Sequence, residues 1–269
     1  MEKLEEKARW VRRQVLEMAA AAGEGHVSSA YSCVELLVAL HYGGILRFDP
    51  SNPKWDGRDR LVLSKGHGVL GLYPILADLG FFPQEELMGF CQVGSRLGIH
   101  AEWHCPGVEA VTGSLGHGFS LAVGMALAAK MDGKDHRVVA ILGDGECYEG
   151  QVWEAAMFAS HRRLNNLVAV VDRNWYCVTG ATEDIVELEP LAGKWKAFGW
   201  GVRKIDGHHF GSILGAFGDF RSPTIPRPLV VVADTVKGKG LSFMENRPLW
   251  HGVAVTGSDL ERARKELHD

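Results

Sequence analysis

No Cys-x-x-Cys pair occurs in this chain, and its five cysteines (Cys33, Cys91, Cys105, Cys147 and Cys177) are odd in number and scattered. That pattern speaks against a disulfide framework or a paired-thiol redox site, and a reducing cytoplasm is the expected compartment. Basic charge is in short supply: 29 Lys and Arg stand against 33 Asp and Glu, a net charge of −4. Such a balance offers no electrostatic footprint for nucleic acid. The amino terminus, MEKLEEKARW, is too charged for a secretory signal. Long apolar runs are nearly missing as well. Residues 111–129 carry no Asp, Glu, Lys or Arg, but they hold four glycines with Thr112, Ser114, His117 and Ser120. The run is long enough to span a bilayer. Its composition instead predicts a glycine turn followed by a buried helix, and no membrane partner is expected. Internal repeats, low-complexity tracts and linker composition are also lacking, so residues 1–269 are expected to form a single domain.

What is present alternates between two periods. Leu4, Ala8, Val11, Val15, Met18 and Ala22 fall at spacings of four and three, an amphipathic helix. After the break at Gly23-Glu24-Gly25-His26, a second helix is expected near residues 33–41, and residues 48–60 read as a surface loop. Short apolar runs at residues 61–63, 138–142, 167–171, 200–205 and 229–233 predict strands. A helix is expected over residues 151–161, with Val152, Ala155, Ala156 and Ala159 on one face. Residues 94–106 show no periodicity. The alternation predicts an α/β fold: a doubly wound, mostly parallel sheet flanked by helices.

The two central runs carry the chemistry. Residues 138–142 end in Gly143-Asp144-Gly145, and residues 167–171 end in Asp172-Arg173-Asn174, so that Asp144 and Asn174 lie 30 residues apart. Parallel strands joined by a right-handed crossover place both carboxyl ends on one sheet edge, where open α/β sheets bind ligands. A carboxylate, an amide oxygen and nearby carbonyls form a hard, under-filled oxygen site of the kind Mg²⁺ takes when phosphates complete its shell. Twelve histidines are many for this length, and His26, His67, His100, His117 and His251 all sit in glycine-rich breaks able to converge on that edge. Imidazoles there could donate to hydroxyls, phosphates or a developing oxyanion. His100, His104 and Cys105 have the spacing of a helical zinc group, but Gly98 and Pro106 flank them and no glutamate stands in the metalloprotease position.

The Gly-Asp-Gly and Asn pair resembles the thiamine diphosphate signature. Further motifs sharpen the likeness: Gly25-His26, LSKGHG, His100 ahead of PGVEAVTGSLGHG, GDGECYEG, IDGH, KGKG and Trp250-His251-Gly252. In this order they resemble the amino-terminal, diphosphate-binding third of the transketolase family, along nearly the whole chain. The resemblance implies thiamine diphosphate and Mg²⁺ (or Ca²⁺ or Mn²⁺) as cofactors. It implies Asp144, Asn174 and the backbone of Tyr176 as metal ligands, and His67 beside the diphosphate. Ser29, Gly113, Ser114, Leu115, Gly145, Asn174, Lys237 and His251 would line the cofactor. His26, His100 and His251 would face the sugar, and Glu149 would join a carboxylate network at a subunit interface. The chain departs from the family pattern at Val27, Ser28, Ala101 and His209.

The implied activity is transfer of a two-carbon ketol unit from a ketose phosphate to an aldose phosphate, with His26 and His251 as candidates for proton transfer. After Trp250-His251-Gly252 only 17 residues remain, about a dozen of them expected to be helical, and the family's later domains supply the glutamate that protonates the cofactor's pyrimidine. The expectation is therefore an amino-terminal subunit of a split enzyme, inactive alone. It would act with a separate pyrimidine-binding, carboxy-terminal subunit in an assembly of two copies of each chain. Residues 113–125 and the helix after Glu149 are the expected docking face. Two alternatives stay open: the α subunit of a 2-oxo acid dehydrogenase, and a relative that binds diphosphate without turnover.

Overall fold

In a computed structural model, which describes residues 1–222 and 224–268, five strands form one fully parallel sheet: β1 (Arg60–Leu63), β2 (Val138–Gly143), β3 (Leu167–Arg173), β4 (Gly201–Asp206) and β5 (Leu229–Asp234). Their spatial order is β1-β2-β3-β5-β4. The helices are α1 (Glu2–Ala22), α2 (Val27–Ser32), α3 (Val34–Tyr42), α4 (Tyr73–Asp78), α5 (His117–Met131), α6 (Gly150–His161), α7 (Thr182–Ile185), α8 (Leu191–Ala197), α9 (Phe210–Ala216) and α10 (Gly257–His268).

The strands read as continuous apolar runs because successive side chains alternate between two covered faces. Leu61, Leu63, Val139, Ile141, Val168, Val170 and Val231 meet α1, α3, α4, α9 and α10 on one side. Val62, Ala140, Leu142, Ala169, Val171, Val230 and Val232 meet α5, α6 and α8 on the other. Each expected strand is present, and residues 94–106 form turns rather than a helix, so His100 and His104 do not present a helical pair.

Two expectations need correction. The break falls at residues 23–26 as expected, with Gly23 closing α1 in the left-handed conformation at φ 73°, but a helix that was not expected, α2, begins directly after His26, ahead of the one expected near residues 33–41. Gly25 has φ 147°, and a Cβ there would lie 3.1 Å from Leu70, so only glycine brings His26 this close to the core. The other correction concerns α5. Gly118, Phe119, Ala122, Val123, Ala126 and Ala129 are buried against the sheet, but Leu121 and Met131 are exposed, so this helix is buried on one face only. An uncharged outer face gave it the composition of a fully buried segment. No helix among the described residues is long and apolar enough to cross a membrane.

The α5–α8 face is anchored by aromatic packing. Trp200 is buried, its ring lies 4.9 Å from that of Trp195, and its Nε1 donates to the Ala156 carbonyl at 2.9 Å. Trp200→Ala should lower unfolding free energy by about 3–5 kcal/mol in urea titration. A loss below about 1 kcal/mol would mean that this face repacks freely.

Candidate active site

The carboxyl ends of β1, β2, β3 and β5 meet at a cavity of 230 Å³. Register places Gly143 opposite Asp172 and Asp172 opposite Ala233, so the residues that follow these strands emerge together. Asp144, buried at the end of β2, accepts from Gly145 N at 2.8 Å, Trp175 N at 2.7 Å and Arg173 Nη1 at 3.1 Å. Burial and the nearby Asp172 push its carboxyl above the ordinary range, while Arg173 pulls the other way. Trp175 holds φ 70°, which turns its N–H onto Asp144, and its indole lies 3.7 Å above the Arg173 guanidinium. Asn174 accepts from Tyr176 N through Oδ1 at 3.2 Å and donates through Nδ2 to Asp172 at 3.3 Å.

Beneath these groups lies a buried ion pair. Asp172 accepts from Lys65, Ser32 and Thr235, and Lys65 Nζ also donates to the Ser29 carbonyl at 3.0 Å. Lys237 is differently placed. Its partners are all neutral: His251 Nδ1 at 3.0 Å, Ser29 Oγ at 3.4 Å and the Tyr176 carbonyl at 3.5 Å. Burial, and then the neighbouring Lys65, push its pKa down to about 8. A buried ammonium with neutral partners is suited to an anionic ligand.

Four imidazoles form the wall above. The ring centroid of His26 lies 5.4 Å from His67, 5.7 Å from His100 and 5.4 Å from His251. Burial, with help from nearby cationic groups, pushes His26 down to about 4 and His251 to about 3, and holds His67 well below its usual value. These three are neutral at pH 7, each with one donor and one acceptor nitrogen. Because an ammonium only donates, His251 accepts at Nδ1 and carries its proton on Nε2. The buried Nδ1 of His26 has no hydrogen-bond partner among the described residues.

The oxygen set Asp144, Asn174 and the Tyr176 carbonyl fits a hard divalent cation, because it is all oxygen and incomplete without further ligands. Among the described residues no three His, Cys, Asp or Glu side chains form a metal cluster.

His26, His67, His100, Gly113, Leu115, Asp144, Gly145, Asn174, Tyr176, Lys237 and His251 all line the cavity. Ser29 lies behind Lys237. Ser114 and Glu149 are exposed and do not line it, Glu149 standing at the start of α6. His117 is also outside the lining and contacts Gln151. The roles of Lys65, Glu146, Asp172 and Arg173 were not read from the sequence. The available signal was charge at the ends of apolar strands, since a buried charge requires a partner.

Asp172→Asn should cost about 3–5 kcal/mol by leaving the Lys65 ammonium buried and unpaired. Replacing both, as Lys65→Met with Asp172→Leu, should recover most of that loss in thermal and urea unfolding. Equal stability of the single variant and wild type would show that the pair is not desolvated.

Residues 5–268 match the family described as "Transketolase, thiamine diphosphate binding domain". The chain is 44% identical over 265 residues to the 6-deoxy-6-sulfo-D-fructose transketolase subunit SqwG of Clostridium sp. (strain MSTE9), covering 98% of this chain and 96% of that one. It is 39% identical to an apulose-4-phosphate transketolase subunit of Phocaeicola vulgatus, covering 100% of this chain and 95% of that one. The crystal structure of Campylobacter jejuni transketolase superposes with a TM-score of 0.93 at 30% identity, covering the whole of this chain but 43% of the other. The motif order, the parallel sheet and these matches agree: the chain belongs to the transketolase family, as its amino-terminal, thiamine diphosphate-binding domain.

Proposed function

We propose that this chain is the amino-terminal subunit of a split transketolase and works as a single domain with a separate carboxy-terminal, pyrimidine-binding subunit. One observation carries the reading. The chain runs along 96% of a relative that is itself named a transketolase subunit, yet along 43% of a solved transketolase. The expected partner would supply the remainder. The docking face is assigned to the outer sides of α5 and α6, where Leu121, Met157 and Phe158 are exposed, with Ser114 and Glu149 close to the same junction in sequence. The simplest closed assembly is two copies of each chain.

In this reading Asp144, Asn174 and the Tyr176 carbonyl hold Mg²⁺, or Ca²⁺ or Mn²⁺ in its place. Lys237 and His67 meet the diphosphate, with Ser29 supporting Lys237. Gly113, Leu115 and Gly145 let the backbone come close to the ligand. When bound, thiamine diphosphate supplies the electron sink for carbon–carbon cleavage. The chain's own work is to bind, orient and move protons. His26, His100 and His251 are placed to hydrogen-bond the sugar's hydroxyls and carbonyl oxygen. Neutral His26 can accept the proton released by a substrate hydroxyl and return it later, while His251, whose Nδ1 is taken by Lys237, is left to donate its Nε2–H to the sugar's oxygen. Burial keeps both rings neutral and makes the imidazolium costly, so a proton taken by His26 is held only until it is passed on. Ketose and aldose phosphates are the proposed substrates, which would place the reaction in pentose phosphate metabolism, in the cytoplasm.

The central experiment compares the chain alone with the chain plus its partner. Each is supplied with Mg²⁺, thiamine diphosphate and a panel of ketose and aldose phosphates that includes xylulose 5-phosphate with ribose 5-phosphate. Silence alone and ketol transfer on mixing is expected; robust turnover without a partner defeats the split-enzyme reading. A second experiment separates loading from chemistry. Asp144→Ala and Asn174→Ala should abolish Mg²⁺-dependent cofactor binding in calorimetry. His26→Ala and His251→Ala should bind cofactor nearly as wild type while kcat/KM falls roughly tenfold to a thousandfold. Histidine variants that lose cofactor but keep turnover would reverse the assignment.

A further inference from the structure

Glu146 lines the cavity two residues beyond Asp144, is buried, and has no part in the mechanism above. Its Oε1 accepts from Ser64 Oγ and from Gly116 N at 2.8 Å, and its Oε2 accepts from Gly143 N at 3.1 Å. The three donors come from three separate segments: the end of β1, the turn that opens α5, and the end of β2. Each stands beside residues that line the cavity. Lys65 and His67 follow Ser64, Gly113 and Leu115 precede Gly116, and Asp144 and Gly145 follow Gly143.

The segments around Ser64 and Gly116 are already in backbone contact. A Cβ on Gly66 would fall 2.3 Å from the Thr112 carbonyl oxygen, and one on Gly118 would fall 2.7 Å from the Ser64 Cα. Thr112 Oγ1 donates to the Leu63 carbonyl at 2.8 Å. With so little slack, a shift at any one donor is passed to the cavity wall beside it. A carboxylate suits the junction because all three neighbours are donors and it is an acceptor at both oxygens. No neutral isostere of the same shape matches them.

From this geometry we infer that Glu146 is a positioning residue: it pins the β1 end, the α5 turn and the β2 end together and so sets the spacing of the walls that receive the cofactor. The inference rests on the assignment of this cavity to thiamine diphosphate. Glu146→Gln tests it, because the amide keeps the shape but turns an N–H₂ toward at least one buried donor. The control is Val138→Ala, which removes buried packing at the amino end of the same strand, away from the cavity.

Both variants are measured in the complex with the partner subunit, by thermal unfolding and by calorimetric titration of thiamine diphosphate at saturating Mg²⁺. Glu146→Gln should raise the cofactor dissociation constant by about tenfold to a hundredfold. Val138→Ala should leave that constant unchanged at a similar loss of melting temperature. With cofactor saturating, kcat of Glu146→Gln should return toward wild type, since the residue acts through the cofactor's position. Ser64→Ala removes one donor only and should shift affinity the same way by a smaller factor, which keeps the test open if Glu146→Gln does not fold. Wild-type affinity in Glu146→Gln, or in Ser64→Ala should the former not fold, overturns the positioning role. Affinity loss of equal size in Val138→Ala overturns it too. A wild-type complex that binds no thiamine diphosphate overturns the cavity assignment first, and this role with it.

Discussion

A lysine and an aspartate buried against each other at the carboxyl edge of the sheet are the constraint on which the site depends. Lys65 and Asp172 are both nearly inaccessible. Taking two charges out of water costs several kcal/mol per ion, so the pair persists only with its remaining hydrogen-bonding capacity filled. Ser32, Thr235 and Asn174 fill it on the aspartate, and the Ser29 carbonyl on the lysine. Those partners come from α2 and from the segments after β3 and β5, while Lys65 follows β1 and Asp172 lies in β3. One electrostatic pair therefore fixes how four parts of the chain meet. It also shapes the charge above it: burial is the main cause that keeps Lys237 and the three shifted histidines low, with Lys65 next at Lys237 and His67, and Lys237 ahead of Lys65 at His26 and His251.

Much of this was legible from residue order, for identifiable reasons. Parallel strands buried on both faces write themselves as unbroken apolar runs, so β2 and β3 and the placement of Asp144 and Asn174 followed directly. Helix α2 was not legible. Ser28, Ser29 and Ser32 have weak helix preference, and the segment is helical because every one of its side chains is buried. The helices α4, α7, α8 and α9 span four to seven residues, too few for a 3.6-residue period to declare itself. Asp172 lies 107 residues from Lys65 and Ser64 lies 82 from Glu146, and no local pattern encodes pairings of that kind.

The departures from the family pattern divide by position. His209 stands where an acidic residue is usual, yet its ring accepts from Ser212 N at the start of α9, the task a carboxylate performs at a helix start. It does not line the cavity. Val27 and Ser28 form the first turn of α2 directly after His26, and Ser28 Oγ donates to the Trp250 carbonyl at 3.1 Å, tying that turn to the residue before His251. Ala101 pairs with Thr112 beside His100. Val27, Ser28 and Ala101 thus stand close to histidines of the cavity wall, where a small change of backbone redirects an imidazole.

Trp175 has a consequence of a different kind. Its indole rests on Arg173, Arg173 holds Asp144, and the indole Nε1 donates to Asp234 at 2.6 Å. Indole emission responds to the electric field across the ring. On the proposed metal assignment, a cation arriving beside Asp144 would change the charge that Arg173 faces, and the ring stacked on Arg173 would register the change. Trp175, one of eight tryptophans, would thereby serve as a native optical probe one residue from that site, its share of the emission isolated by difference from a Trp175→Phe chain.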